Sequence, residues 1–157
     1  MQGGFGRVVA PVAGKSSDER VIGLLPKLIS AEGGVVTFLY VVAVPQSMPL
    51  DAELPLEIEK GENALRRAES ELRRSTHPRS VEVVTELLQA RAVGPAIVDE
   101  AIERKADAIV MTAVIHRSHG RNTLGETANH VLLNAGCEVV VIRVAQGTEL
   151  SQGVPWR

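Results

Sequence analysis

The chain has 157 residues, of which 45% are hydrophobic, and this suffices for one domain with a well-filled core. The net charge of −2 provides no basic surface for nucleic acid, and the few aromatic residues cannot form a stacking platform for single strands. A single cysteine excludes an internal disulfide, and no apolar run reaches the ~18 residues of a membrane span. The N-terminus lacks the pattern of a signal peptide. We therefore expect a cytoplasmic protein that binds no nucleic acid and does not insert into membranes.

Five short apolar runs bounded by turn residues predict five β-strands. Helical patterns separate these runs, so strands and helices alternate along the whole chain. This alternation predicts right-handed crossovers and a parallel sheet with helices on both faces. We expect the α/β domain to span residues 1–145 and the polar residues 146–157 to form a flexible tail. The predicted strands cover residues 7–12, 35–44, 81–89, 108–112 and 138–144.

Four helices follow from the apolar spacing and from helix-terminal residues. Ser17 is placed to cap the first helix, and the glycine pair at 33–34 is expected to end it. The second and longest helix covers residues 55–75, with one apolar stripe and one charged face. Gly94 and the proline after it open the third helix. The fourth helix runs from about 124 to 134.

Residues 107–143 hold the most information about function. Their pattern predicts a strand, a glycine-containing basic loop, a capped helix and a final strand, and the loop carries His116, Arg117, His119 and Arg121. In an α/β sheet this order brings a helix N-terminus to the carboxyl edge of a strand, where free N–H groups and the helix dipole favour an anion. Two interpretations of the basic loop stay open: side-chain contacts to a phosphate, or a solvated surface.

The start of the fourth helix also has two interpretations. Gly125 can leave room for a phosphate beside the helix N-terminus, and Thr127 can donate a hydroxyl to it. Alternatively, Thr123 to Glu126 forms a capping box in which the Glu126 carboxylate reaches back to the Thr123 N–H. A carboxylate in that position occupies the place of a phosphate and repels it at short range.

The histidines and the cysteine do not suggest a metal or a nucleophile. His116 and His119 have no acidic partner at a spacing that closes a metal site, so we expect no metal. Cys137 precedes the last strand without a histidine or asparagine partner placed by the sequence. We therefore expect a structural cysteine.

In the order and spacing of these elements the chain resembles the universal stress protein family from about residue 7 to residue 144. The stretches that carry the resemblance are the first strand ending in Pro11, the strand FLYVV, the long charged helix, EAIERKADAIVM and HVLLNAGCEVVVIRV. The resemblance implies a doubly wound, Rossmann-like, five-stranded parallel sheet in the order 3-2-1-4-5. It also implies an ATP or AMP site, and a homodimer formed through the last strand, from Glu138 to Val144.

The nucleotide signature of that family is degenerate in this chain. The signature is Gly, two residues, Gly, nine residues, Gly, and then Ser or Thr, beginning just after Met111. Thr112 and Ile115 stand at the first two glycine positions, Gly125 keeps the third, and Glu126 replaces the hydroxyl residue. β-branched side chains obstruct the close backbone approach that glycine allows. The resemblance therefore implies an altered nucleotide site of weak affinity.

These observations predict a universal-stress-protein-type regulatory or stress-response domain that binds a small ligand, an adenine nucleotide. The alternative is a dimerising or partner-binding module without nucleotide, for example one that regulates a transporter. We do not expect an enzyme, and a slow ATPase is least favoured because Ala13 removes an acidic residue near the phosphates. The candidate ligand-binding residues are Pro11, Val12, Ala13, Val41, Met111, Thr112, Ile115, Arg117, Arg121, Gly125, Glu126 and Thr127.

Overall fold

The structure is a computed structural model and describes residues 3–76 and 80–145. The expectation for the tail at 146–157 lies outside the described residues. No helix within the described ranges combines the length and the apolar composition needed to cross a membrane. The elements in chain order are β1 (Arg7–Pro11), α1 (Asp18–Leu28), β2 (Gly34–Ala43), α2 (Pro55–Ser75), β3 (Val81–Ala90), α3 (Val93–Glu103), β4 (Ala108–Ser118), β5 (Arg121–Leu124), α4 (Glu126–Asn134) and β6 (Glu138–Ala145).

The strands form a single sheet across the described part of the chain. Five of them are parallel in the order β3-β2-β1-β4-β6, which confirms the predicted order with β6 as the predicted fifth strand. The register of β2 and β3 runs unbroken from Gly34↔Val81 to Ala43↔Ala90. A sixth strand, β5, pairs antiparallel with β4 and was not predicted.

Each face of the sheet carries its own hydrophobic core, because successive side chains of a strand point to opposite faces. On one face Val8 packs with Leu25 of α1 and Leu72 of α2. On the other face Val9 packs with Ile97 of α3 and Val131 of α4. Burial on both faces explains why the strand sequences are apolar throughout rather than alternating. The doubly wound α/β architecture is therefore confirmed.

The predicted basic loop is in fact a β-hairpin. β4 continues to Ser118 because β6 pairs with it as far as Ile115, and β5 pairs with it from Ile115 onward. His119 and Gly120 form the turn, with φ of 52° and 74°. Two residues of positive φ match the twist of a two-residue hairpin turn. The predicted strand end at 112 was therefore too early.

The start of α1 after Ser17 is as predicted, but neither of the two predicted side-chain caps forms. Ser17 makes no side-chain capping hydrogen bond at the start of α1. α4 begins at Glu126 with Gly125 at the N-cap position, again without a side-chain cap. Thr123 belongs to β5, where its hydroxyl donates to the carbonyl oxygen of His116 at 3.4 Å. The pairing of β5 with β4 thus removes Thr123 from the capping box that the local sequence predicts.

The end of α1 also differs from the expectation. The helix stops at Leu28, and the N–H of Ile29 donates to Leu25. Pro26 lies inside the last turn, where its missing N–H weakens the helix. Gly33 has a φ of 104° and serves the following turn instead, since a Cβ there would lie 2.5 Å from the carbonyl oxygen of Ser80.

Candidate functional site

A cleft of about 290 Å³ opens at the carboxyl edge of the sheet, between β1 and β4. The chain leaves β1 towards α1 on one face of the sheet, and it leaves β4 by way of β5 towards α4 on the other face. The connections therefore diverge at this point, and a crevice remains between them. In doubly wound sheets ligands bind at such a switch point.

Seven of the predicted site residues line this cleft. They come from four elements: the end of β1 with the residues after it, β2, β4 and the first turn of α4. The structure thus brings residues together that are more than a hundred positions apart in the chain, and their contact with a ligand stays a prediction. The seven are Pro11, Val12, Ala13, Val41, Met111, Thr112 and Thr127.

Two further candidates lie at the start of α4, outside the lining of the cleft. Gly125 packs under β4, where a Cβ would stand 3.3 Å from the Val114 carbonyl oxygen and 3.4 Å from His116 Nε2. The glycine is therefore explained by close packing against the hairpin. The Glu126 side chain is exposed and lines a neighbouring groove of about 520 Å³ between α3 and α4.

The remaining three candidates belong to the hairpin. Ile115 pairs with Leu124 across its base. In an antiparallel hairpin, two residues that pair across the strands project from the same face. Arg117 pairs with Asn122, whereas Arg121 pairs with Ser118. Adjacent pairs alternate between the two faces, so Arg117 and Arg121 project to opposite sides. The hairpin therefore does not bring its two arginines together on one side.

The hairpin itself lies beside the cleft. β6 pairs with β4 from Ala108 to Ile115, and β5 pairs with Ile115 too, so β5 must lie on the other side of β4. That is the side on which β1 pairs with β4, at Ala108 and Ile109. β5 therefore occupies the space beyond the carboxyl end of β1.

The structure adds six residues to the lining of the cleft. They are Asp18, Leu39, Tyr40, Val93, Ile97 and Val114. The apolar members were not identified from the sequence, because an apolar residue of a strand or of α3 that lines a cleft has the same local pattern as one in the core. Asp18 had a signal, since it lies a few residues after Gly14, whose φ is 76°. A glycine turn followed by an acidic residue suggests a carboxylate that binds turn N–H groups.

Asp18 closes the turn after β1. The N–H of Ala13 donates to its Oδ1 at 2.9 Å, and the N–H of Gly14 donates to its Oδ2 at 2.8 Å. Two successive backbone N–H groups form a small concave anion-binding nest. In this protein a carboxylate of the chain itself lies in that nest.

Tyr40 provides a phenol near the same turn, since a Cβ at Gly14 would lie 3.8 Å from Cε2 of its ring. Burial raises the pKa of Tyr40, and the nearby carboxylates of Glu57 and Asp18 raise it further. The phenol therefore stays protonated at neutral pH and can both donate and accept a hydrogen bond. Together with the hydroxyls of Thr112 and Thr127, it gives the cleft three neutral polar groups.

Among the described residues, neither a metal-binding group nor a low-pKa thiol lines the cleft. Across residues 3–76 and 80–145, no three His, Cys, Asp or Glu side chains are grouped to hold a metal ion. Cys137 is half-buried beside α4, and burial raises the pKa of its thiol. A raised pKa lowers the thiolate fraction, so this cysteine is poorly suited to act as a nucleophile.

Comparison with known proteins places the chain in a family. Residues 4–143 match the sequence model of the universal stress protein family. No curated protein matches the chain significantly. Several solved structures share the fold of this chain. Because their sequence identities are low, the similarity supports the fold alone. A universal stress protein from Archaeoglobus fulgidus in complex with dAMP is 24% identical, with a TM-score of 0.63, covering 87% of this chain and 97% of its own.

Two further structures resemble the fold to a similar degree. A universal stress protein in complex with cAMP is 16% identical with a TM-score of 0.66, over 89% of this chain and 98% of that one. A universal stress protein family protein from Arabidopsis thaliana with AMP bound is 14% identical with a TM-score of 0.57, over 91% and 94%.

Proposed function

The chain belongs to the universal stress protein family, and on that premise we propose that it is a regulatory or stress-response domain that binds an adenine nucleotide, ATP or AMP, with weak affinity. The observation that carries the proposal is the cleft at the switch point between β1 and β4. Its volume of about 290 Å³ falls near the lower end of small-molecule pockets, which begin around 300 Å³. A cleft of this volume accommodates a ligand of about the size of adenine with its ribose.

The walls of the cleft suit an adenine ring. Val41 and Val93 offer partly exposed apolar surface, and the strand ends offer backbone groups to the ring edge. The hydroxyls of Thr112 and Tyr40 are available to ribose. Apolar walls with a few placed polar groups are typical of nucleoside pockets. The dAMP, cAMP and AMP bound by the three structural relatives support the same class of ligand.

Weak affinity follows from the phosphate side of the cleft. Thr112 lines the cleft where the family signature has glycine, so its side chain takes up space beside the backbone. The hairpin replaces an open glycine loop and places Arg117 and Arg121 on opposite faces. Glu126 adds a negative charge to the first turn of α4. Each of these features weakens the contacts that a phosphate chain would make.

We further propose that the domain forms a homodimer through β6. Within the described residues β6 pairs with β4 alone, so its other edge is open. Val139 and Val141 pack towards one core, and Val140 and Ile142 pack towards the other, yet all four are only half-buried. An open, apolar edge strand is a surface that a second chain can cover. A cytoplasmic location, inferred from the sequence, completes this proposal.

A second candidate function is favoured by the hairpin. A partner-binding module without nucleotide, such as a regulator of a transporter, needs an exposed recognition element rather than an open phosphate loop. Residues 116–123 of the ribbon are exposed and include two arginines and two histidines. This second function predicts that no adenine compound binds in the cleft.

Calorimetric titration with AMP and ATP distinguishes the two functions, with GMP as the base-specificity control. Val41→Trp fills the cleft and is expected to abolish binding. Leu133→Trp introduces the same side chain in the neighbouring groove, where Leu133 is 75% exposed, and is expected to leave binding unchanged. Binding that survives Val41→Trp, or no binding of AMP and ATP to the parent protein, contradicts the proposed function.

A further inference from the structure

The charge of the cleft is unusual for a site that accepts a phosphorylated ligand. Among the described residues that line it, Asp18 is the only one with a charged side chain. Neither lysine, arginine nor histidine is among them. A phosphate in the cleft would therefore meet a carboxylate and no cationic side chain of the lining.

The anion-binding nest in the turn after β1 is already engaged. Backbone N–H groups in a turn are the usual alternative to cationic side chains for a phosphate. Here the N–H groups of Ala13 and Gly14 donate to the two oxygens of Asp18, at 2.9 Å and 2.8 Å. The neighbouring acid, Glu19, occupies the same first turn of α1 but is exposed and does not line the cleft.

We propose that Asp18 is a specificity-determining residue, which fills the anion-binding nest of Ala13 and Gly14 and makes the cleft select an uncharged adenine nucleoside over its phosphorylated forms. This inference rests on the proposed function, because it concerns the ligand of the same cleft. It names adenosine, rather than ATP or AMP, as the preferred class of adenine compound.

The selection has a direct physical cause. A phosphate bound in the cleft would lie within several ångströms of Asp18, where two negative charges repel each other strongly in a partly desolvated site. The hydroxyls of Tyr40, Thr112 and Thr127 are neutral and can bind ribose without such repulsion. The arginines of the hairpin do not offset it together, because they project to opposite faces.

The test measures the dissociation constants of adenosine, AMP and ATP for the parent protein at one salt concentration. The expected order is adenosine tightest, then AMP, then ATP. Asp18→Asn removes the charge and keeps the size of the side chain, and it is expected to tighten AMP binding by roughly tenfold relative to adenosine. Glu19→Gln makes the same charge change outside the cleft and is expected to leave the ratio unchanged.

The measured dissociation constants can contradict the proposed role of Asp18 in two ways. If AMP or ATP binds the parent protein more tightly than adenosine, or if Asp18→Asn and Glu19→Gln shift the ratio equally, the inference is wrong while the proposed function stands. If none of the three compounds binds the parent protein, both fail. Because the order of the three compounds is measured on the parent protein, the test stands even where the Asp18→Asn protein does not fold.

Discussion

Gly61 of α2 lies directly against the ring of Tyr40 in β2. A Cβ at position 61 would stand 2.6 Å from Cδ1 of the ring, and also 2.8 Å from Cδ1 of Leu87. Real Cβ atoms do not approach other atoms so closely. The helix α2 can therefore pack this close to the sheet only because residue 61 is glycine. Because Tyr40 lines the cleft, the packing of α2 also sets the position of one cleft wall.

This contact predicts opposite effects for two glycine-to-alanine substitutions. Gly61→Ala is expected to destabilise the fold by about 1–3 kcal/mol, because overpacking outweighs the better helix propensity of alanine. Gly23→Ala in α1 meets nothing within 4 Å and is expected to stabilise by roughly 0.5–1 kcal/mol. Urea unfolding of both variants measures the difference. Equal effects of the two substitutions would refute this explanation of Gly61.

Arg104 joins two acidic side chains on the α3 face. It donates to Glu100 and to Glu86, each at 2.8 Å, and Glu100 is only 6% exposed. The hydrogen bond to Glu100 is the main cause of the raised pKa of Arg104. Arg104→Met leaves the buried Glu100 carboxylate without this partner, and we expect a loss of about 1–3 kcal/mol in unfolding free energy.

The control for Arg104 is the exposed ion pair of α2. Arg73→Met removes a contact of 2.9 Å to Glu69, in which both side chains are substantially exposed. Such pairs contribute at most about 1 kcal/mol, because solvent and salt screen them. A loss for Arg104→Met no larger than that for Arg73→Met would contradict the assigned role of Arg104.

The chain contains one tyrosine, so its phenol can be titrated by absorbance near 295 nm. Burial, with Glu57 and Asp18, raises the pKa of Tyr40, so the midpoint is expected above the ordinary value of about 10. Asp18→Asn should lower the midpoint, whereas Glu19→Gln should not. Since the folded-state pKa is raised, the associated stability is complete below pH ~10 and is lost as the pH rises through the folded value. A midpoint at the ordinary value in folded protein would contradict the burial of Tyr40.

Light scattering at micromolar concentration tests the predicted dimer, and a dimer mass is expected. Val144→Lys places a charge near the end of the open edge of β6, where lysine opposes strand pairing, and should shift the mass towards the monomer. Arg143→Lys keeps the charge at the neighbouring position and should leave the mass unchanged. A monomer mass for the parent protein would defeat the prediction.

The sheet order and the position of the cleft were predictable because they depend on short, uninterrupted apolar runs. A central parallel strand such as β1 is buried on both faces, so its sequence signal is strong and local. The neighbouring positions of β1 and β4 in the strand order then locate the switch point. Pro11 and Met111 were expected at this switch point, and both line the cleft there.

The hairpin was not predictable from the same signals. The local pattern from Thr123 to Glu126 matches a capping box, but pairing with β4 places Thr123 in a strand instead. His119 adopts a positive φ, which is uncommon for a residue other than glycine. Only the contacts of the folded sheet offset that conformational cost. The role of Asp18 was missed although Gly14 precedes it, since an acidic first-turn residue usually indicates helix-dipole stabilisation alone.

Binding in the cleft is tested most directly by titrating ¹⁵N-labelled protein with adenosine and following the backbone amide chemical shifts. We expect saturable changes that cluster at Ala13, Gly14, Val41, Thr112 and Thr127, because these residues surround or border the cleft. No saturable change at any amide, or changes confined to the hairpin around Gly120, would contradict the claim that this cleft binds an adenine ligand.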